Sequence, residues 1–206
     1  LVFIGYVLLH MYGNLKMFAG HDKFNEYAHH LRTIGEPILP YTGLLWIVRI
    51  VLIVAVVAHV WSALTLWKRA AGARQVKYVA RRKTASALSS RWMRWGGVTL
   101  LLFIVWHLLN FTVGKVNVTG GATDDPYNLV VDTFSTWWMT AIYLLALLAL
   151  AMHLHHGTWS ALQTLGLTNS ARSRARAKGL GVLVAVVVAG GFSLVPIFVL
   201  AGVISK

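Results

Sequence analysis

Five apolar runs constrain this chain more than any other feature of its sequence. About 30 Å of hydrocarbon is crossed by roughly 20 helical residues, and runs of that kind occupy residues 1–18, 42–67, 95–113, 137–165 and 180–204. The first is short because the chain opens at Leu1 already inside an apolar stretch, so the natural start is expected upstream. The second and fourth exceed the required length and should tilt or project from the bilayer. The expected fold class is all-α, an integral membrane bundle of five transmembrane helices, with 1–206 read as one domain. Composition agrees: 57% of residues are hydrophobic and only 12% charged, against about 25% charged in ordinary soluble domains. Too little polar surface remains to cover a water-soluble particle.

The charge is strongly asymmetric. A net +13 could suggest nucleic acid, but that requires a basic face on a soluble fold. Here the positive residues sit between apolar runs. Residues 67–94 carry nine Lys and Arg, and Arg172, Arg174, Arg176 and Lys178 follow the fourth run. By the positive-inside rule both segments should be cytoplasmic. The connections 20–41 and 114–136 hold the acids Asp22, Glu26, Glu36, Asp124, Asp125 and Asp132, and should face outward. Pro37 and Pro40 close the first of these outer loops, while Gly120, Gly121 and Pro126 make the second irregular. Trp67, Trp92, Trp95, Trp137 and Trp138 fall at expected span ends, as interfacial belts do.

Histidine is the unusual component of the apolar runs. His10, His59, His107 and His153 fall one in each of the first four, and the fifth has none. A strongly polar group in hydrocarbon is costly without a partner and marks function by default. The plainer reading is a histidine bonded across a helix interface, and four together weaken it. Counted from the expected span ends, His59 and His153 lie in the inner half and His10 and His107 in the outer half, giving two pairs stacked across the membrane. Small residues one turn away leave room for a flat ligand: Ala55, Ser62 and Ala63 beside His59, Ala149 and Gly157 beside His153, Gly13 and Asn14 beside His10. His107 instead has Phe103 and Phe111. Small residues also promote plain helix contact.

No cysteine is present, which excludes disulfides, thiolate-ligated haem, cysteine nucleophiles and iron–sulfur clusters held by this chain. Catalytic zinc usually gathers several ligands, often through HExxH spacing, and that spacing is absent. Bis-histidine haem suits electron transfer, since both axial positions are filled.

The run His10-Met-Tyr-Gly-Asn14, His59 near the inner end of the second span, Trp106-His107-Leu108-Leu109, and His153-Leu-His155-His156-Gly157 together resemble the cytochrome b membrane anchor of succinate dehydrogenase and fumarate reductase. More narrowly they resemble its single-subunit, five-helix, di-haem type, over essentially the whole chain. The resemblance implies two haems b, with His59 and His153 ligating the inner, high-potential one and His10 and His107 the outer, low-potential one. His155 and His156 compete with His153, which is preferred because the family's ligand precedes Gly by four. The resemblance also implies a flavoprotein and an iron–sulfur subunit on the cytoplasmic face, a quinone (menaquinone before ubiquinone), and a bacterial cytoplasmic membrane location. Succinate chemistry would lie in the partners, with no catalytic residue for it here and quinone chemistry at this subunit. Ser90 and Arg94 match the family's quinone-proximal Ser and Arg, and Trp92 could pack on the ring; lipid-phosphate anchoring explains the same basic residues. His29 and His30, with Glu26 and Glu36, could exchange protons on the outer side, or could simply be solvated.

Two other readings remain at this level. One is a di-haem anchor for another dehydrogenase, such as one oxidising formate or hydrogen. The other is a haem-free transporter or structural protein, for which Gly190, Gly191 and Pro196 hint at a discontinuous fifth helix.

Overall fold

The computed structural model describes residues 1–73, 85–113, 116, 118 and 123–206, the side chains of 85–91 excepted. Most of the described residues are helical, and none of them is in a strand. They form α1 (Val2–Leu15), α2 (His21–Thr33), α3 (Gly43–Gly72), α4 (Ala85–Leu108), α5 (Pro126–Phe134), α6 (Trp137–Thr164) and α7 (Ala171–Leu200). A 3-10 turn, Lys16–Ala19, extends α1, and a π-helical turn, Leu109–Val113, extends α4.

Four helices among the described residues are long and apolar enough to cross a membrane: Gly43–Gly72, Trp92–Val113, Trp137–Thr164 and Ala171–Leu200. These correspond to the second to fifth expected spans. Helix α1 has 14 residues and falls short of that length alone.

The boundaries differ from the sequence expectation for definite reasons. Helix α7 starts at Ala171 rather than 180, because Ser170 and Ser173 form a capping box: the Ser173 N–H donates to Ser170 Oγ at 3.1 Å and the Ser170 N–H to Ser173 Oγ at 2.9 Å. Arg172, Arg174, Arg176 and Lys178 therefore ride on the helix and not on a loop. Helix α4 starts ten residues before the expected 95, since hydropathy marks only the part that must meet lipid. Helix α7 runs unbroken through Gly190, Gly191 and Pro196, so the expected discontinuity is not there.

Both expected outer loops contain helices. Asp125 caps α5, its side chain accepting from the Asn128 N–H, with Pro126 in the first turn. Pro126 thus opens a helix where an irregular loop was expected. Leu129, Val130, Val131 and Phe134 of α5 are buried. Helix α2 is amphipathic and carries the charges expected of a loop.

The chain divides into two compact units. The first contains Leu1, Phe3–Tyr27 and Ala85–Lys206. Within it α6 packs chiefly along α7 and next on α4, and α5 packs on α6 and α7. One core cluster joins Met17, Tyr127, Phe134, Met139, Tyr143 and Val195. A second joins Leu154, Ala185 and Val188, with Ile4, Val7 and Phe192 against it. The α6–α7 approach is close because residue 181 is glycine: a Cβ there would lie 2.6 Å from the His155 carbonyl oxygen. Likewise Met11 of α1 seats against Gly191 of α7.

The second unit contains Val2 and Ala28–Thr84. In it the Thr42 N–H donates to the Arg32 carbonyl at 2.7 Å, closing the turn that leads into α3. Gly35 holds φ at +100°, a region that L side chains rarely adopt. No residue of α3 is buried, and Trp46, Ile50, Val54, Val57 and Trp61 are exposed. A helix apolar on all sides is at home in lipid.

Candidate functional site: a histidine pair in the helical bundle

In the first unit, α1 and α4 bring His10 and His107 together. Their ring centroids lie 5.8 Å apart with planes 80° from parallel. Two imidazoles that each sit about 2 Å from a shared metal have centroids about 6 Å apart, so this separation suits one metal between them. His10 stacks on Tyr6 at 5.5 Å and meets Phe192 of α7 at 5.5 Å. His107 lies among Phe103, Phe111 and Tyr143 at 5.5 to 6.0 Å. The aromatic neighbours foreseen for His107 are therefore real packing partners, and Tyr143 joins them.

Helix α4 ends at Leu108, next to His107, and passes into a π-helical turn, a feature frequent at functional sites. Asn110, inside the turn, is fully buried. Its Oδ1 accepts from the Tyr143 hydroxyl at 2.8 Å, and its Nδ2 donates to the Val116 carbonyl at 2.8 Å. Tyr143 Oη in turn lies 3.5 Å from His107 Nδ1. Neither Asn110 nor Tyr143 was singled out from the sequence. The available signal was Asn110 itself, an amide in an apolar run three residues after a histidine, since a buried amide requires partners.

His153 faces α4. A Cβ at Gly97 would meet His153 Cε1 at 3.8 Å, and a Cβ at Gly157, one turn on from His153, would meet nothing within 4 Å. The His153 imidazole thus packs close to Gly97 of α4, and open space lies at Gly157. His155 is exposed, and its carbonyl approaches Gly181 of α7. His156 packs edge-on against Trp159 at 5.6 Å. The alternatives to His153 therefore have different surroundings on the same helix.

His59 lies on α3 in the second unit and is exposed. Trp92 and Arg94 are exposed at the start of the span in α4, whereas the side chain of Ser90 lies outside the described residues. His29 and His30 are exposed on α2, and Glu26 pairs with Lys23 at 3.0 Å. Among the described residues no three or more His, Cys, Asp or Glu side chains gather as a metal site.

A second polar cluster lies at the α2–α5 end of this unit. His21 Nε2 contacts Asp125 Oδ2 at 2.6 Å and His21 Nδ1 contacts Asp22 Oδ1 at 2.9 Å. Asn25 Nδ2 donates to Asp125 Oδ1 at 2.9 Å. Hydrogen bonding to Asp22 and then to Asp125 raises the His21 pKa above its ordinary value. Desolvation pushes Asp125 upward, but the Asn128 N–H, Asn25 and His21 outweigh it and hold this carboxyl below its ordinary range.

Apolar helices of spanning length, with histidines set inside them, define an integral membrane protein of the multi-helix type. The chain belongs to the family described as succinate dehydrogenase/fumarate reductase transmembrane subunit, which matches residues 68–192, more than half its length. The matched segment includes His107 and His153 and ends short of His10 and His59, so it is narrower than the whole-chain resemblance read from the motifs. No curated protein and no solved structure matches the chain.

Proposed function

We propose that this chain is the membrane anchor of a succinate:quinone oxidoreductase, with five transmembrane segments and two haems b. It would join a flavoprotein and an iron–sulfur subunit at the cytoplasmic face to membrane quinone, with menaquinone the expected partner, in a bacterial cytoplasmic membrane. His10 and His107 would hold one haem, and His59 and His153 the other. The observation that carries this reading is the His10–His107 pair, two imidazoles from separate helices 5.8 Å apart in an apolar bundle. Haem, when bound, would supply one-electron transfer. The chain's own residues would orient the imidazoles: Tyr6 and Phe192 pack on His10, and Phe103, Phe111 and Tyr143 on His107. Arg94, Trp92 and Ser90 are the candidates for the quinone head group.

A pyridine haemochrome assay on the purified complex tests the reading. Two protohaems per chain are expected, reducible by succinate through a copurifying flavin-containing subunit. His10→Ala and His107→Ala should remove one and the same haem, and His59→Ala and His153→Ala the other. A haem-free complex, a molybdenum or nickel partner in place of the flavoprotein, or losses paired any other way would overturn it.

A further inference from the structure

A histidine that ligates a metal must present a bare nitrogen, and the proton on its other nitrogen needs an acceptor. For His107 that acceptor can be found by following hydrogen-bond polarity from a group that has no choice. The Val116 carbonyl can only accept, so the Asn110 side-chain nitrogen is the atom 2.8 Å from it. The same nitrogen points toward Thr133 Oγ1 at 3.4 Å, and that hydroxyl donates its own proton to the Leu129 carbonyl at 2.7 Å. The amide orientation is therefore fixed at both ends, with Oδ1 turned to Tyr143. An amide oxygen accepts only, so the Tyr143 hydroxyl donates to it at 2.8 Å. Its single proton is then committed, and its oxygen can only accept from His107 Nδ1, at a long 3.5 Å. Asn110 and Thr133 are 0% exposed and Tyr143 6%, so bulk water does not compete along this line.

We infer that Tyr143, held by Asn110, is a positioning residue for His107: it fixes the Nδ1–H tautomer, orients the ring and leaves Nε2 as the ligating atom. This rests on the haem reading above. An acceptor on Nδ1–H strengthens the imidazole as a donor and so favours the oxidised iron. Loss of the hydroxyl should therefore raise the midpoint potential of the haem that His107 holds.

The test is a spectroscopic redox titration of the purified, haem-loaded complex. In Tyr143→Phe both haems remain, and the potential of the haem that is missing from His107→Ala moves upward while the other stays in place. Asn110→Leu keeps the tyrosine but removes the acceptor of its proton, and should move the same potential in the same direction. It decides the matter alone if the tyrosine variant does not assemble. Tyr127→Phe is the control, because its hydroxyl donates to the Ser205 carbonyl at 3.1 Å and to no histidine; it should shift neither potential. Two haems with unmoved potentials in the variant that assembles, or equal shifts in the control, would overturn the role of Tyr143 and leave the haem reading intact. A wild-type complex without two haems would overturn the haem reading instead.

Discussion

Asp125 does two jobs with one carboxylate, capping α5 through the Asn128 N–H and meeting His21 from α2. The pKa shifts of this pair have opposite consequences for pH. His21 is raised above 6.5 in the folded chain, so its contribution is complete below that value and fades as pH rises through the folded value. Asp125 is lowered below 3.8, so its contribution is present above that value and is lost as pH falls through the folded one. The attachment of α5 should be firmest between the two. Amide exchange in α5, corrected for intrinsic rates, is expected to lose protection as pH rises above neutrality, and His21→Ala should flatten that dependence. Asp125→Ala removes the cap as well, at a cost of about 1 kcal/mol, and should loosen α5 at every pH. An alkaline limb that survives in His21→Ala would show that another group sets it. At this scale the four histidines of the apolar runs were legible in the sequence, because an imidazole in such a run is conspicuous. Tyr143 and Asn110 were not. A tyrosine passes for an interfacial aromatic, and the π-helical turn that aims Asn110 inward has no periodic signature.

At the scale of elements, the sequence was legible where hydrocarbon imposes length and opaque where short helices are amphipathic. Runs of about 20 apolar residues name their own helices, and the four long spans fell where expected. Helices α2 and α5 stand in stretches whose acids and prolines read as loops; α5 owes its start to the Asp125 cap and its burial to packing on α6 and α7. The start of α7 was hidden for a related reason: a serine capping box, not hydropathy, decides it. Contact between α6 and α7 depends on Gly181, where an added methyl would press on a backbone carbonyl that cannot swing aside. Gly181→Ala should destabilise the first unit by about 1–3 kcal/mol, the usual range for overpacking. Gly157→Ala, with nothing within 4 Å of its Cβ, should leave the helix pair intact and instead crowd whatever occupies the space beside His153. Thermal unfolding of the two variants, read together with their haem content, separates these effects. Equal destabilisation with unchanged haem would refute the distinction.

For the whole molecule, orientation follows from charge. By the positive-inside rule the basic stretch 67–94 and Arg172, Arg174, Arg176 and Lys178 are expected at the cytoplasmic face, and the acids Asp22, Glu26, Asp125 and Asp132 at the other. Within the first unit, α6 and α7 are consecutive spanning helices, so the turn between them must lie on one face and the entry to α6 on the other. Because the sequence has no cysteine, single-cysteine variants report this without background. Asn169→Cys, in the exposed α6–α7 turn, and Lys23→Cys, exposed on α2, sample the two faces. A membrane-impermeant maleimide applied to sealed spheroplasts should label position 23 and spare 169. Inverted vesicles should reverse the pattern. Labelling of both positions from one side would mean that one of the long helices between these points, α3, α4 or α6, does not cross. Labelling reversed at both would instead keep the three crossings between them and turn the molecule over, placing the basic segments outside against the charge rule and removing the partner subunits' expected docking face.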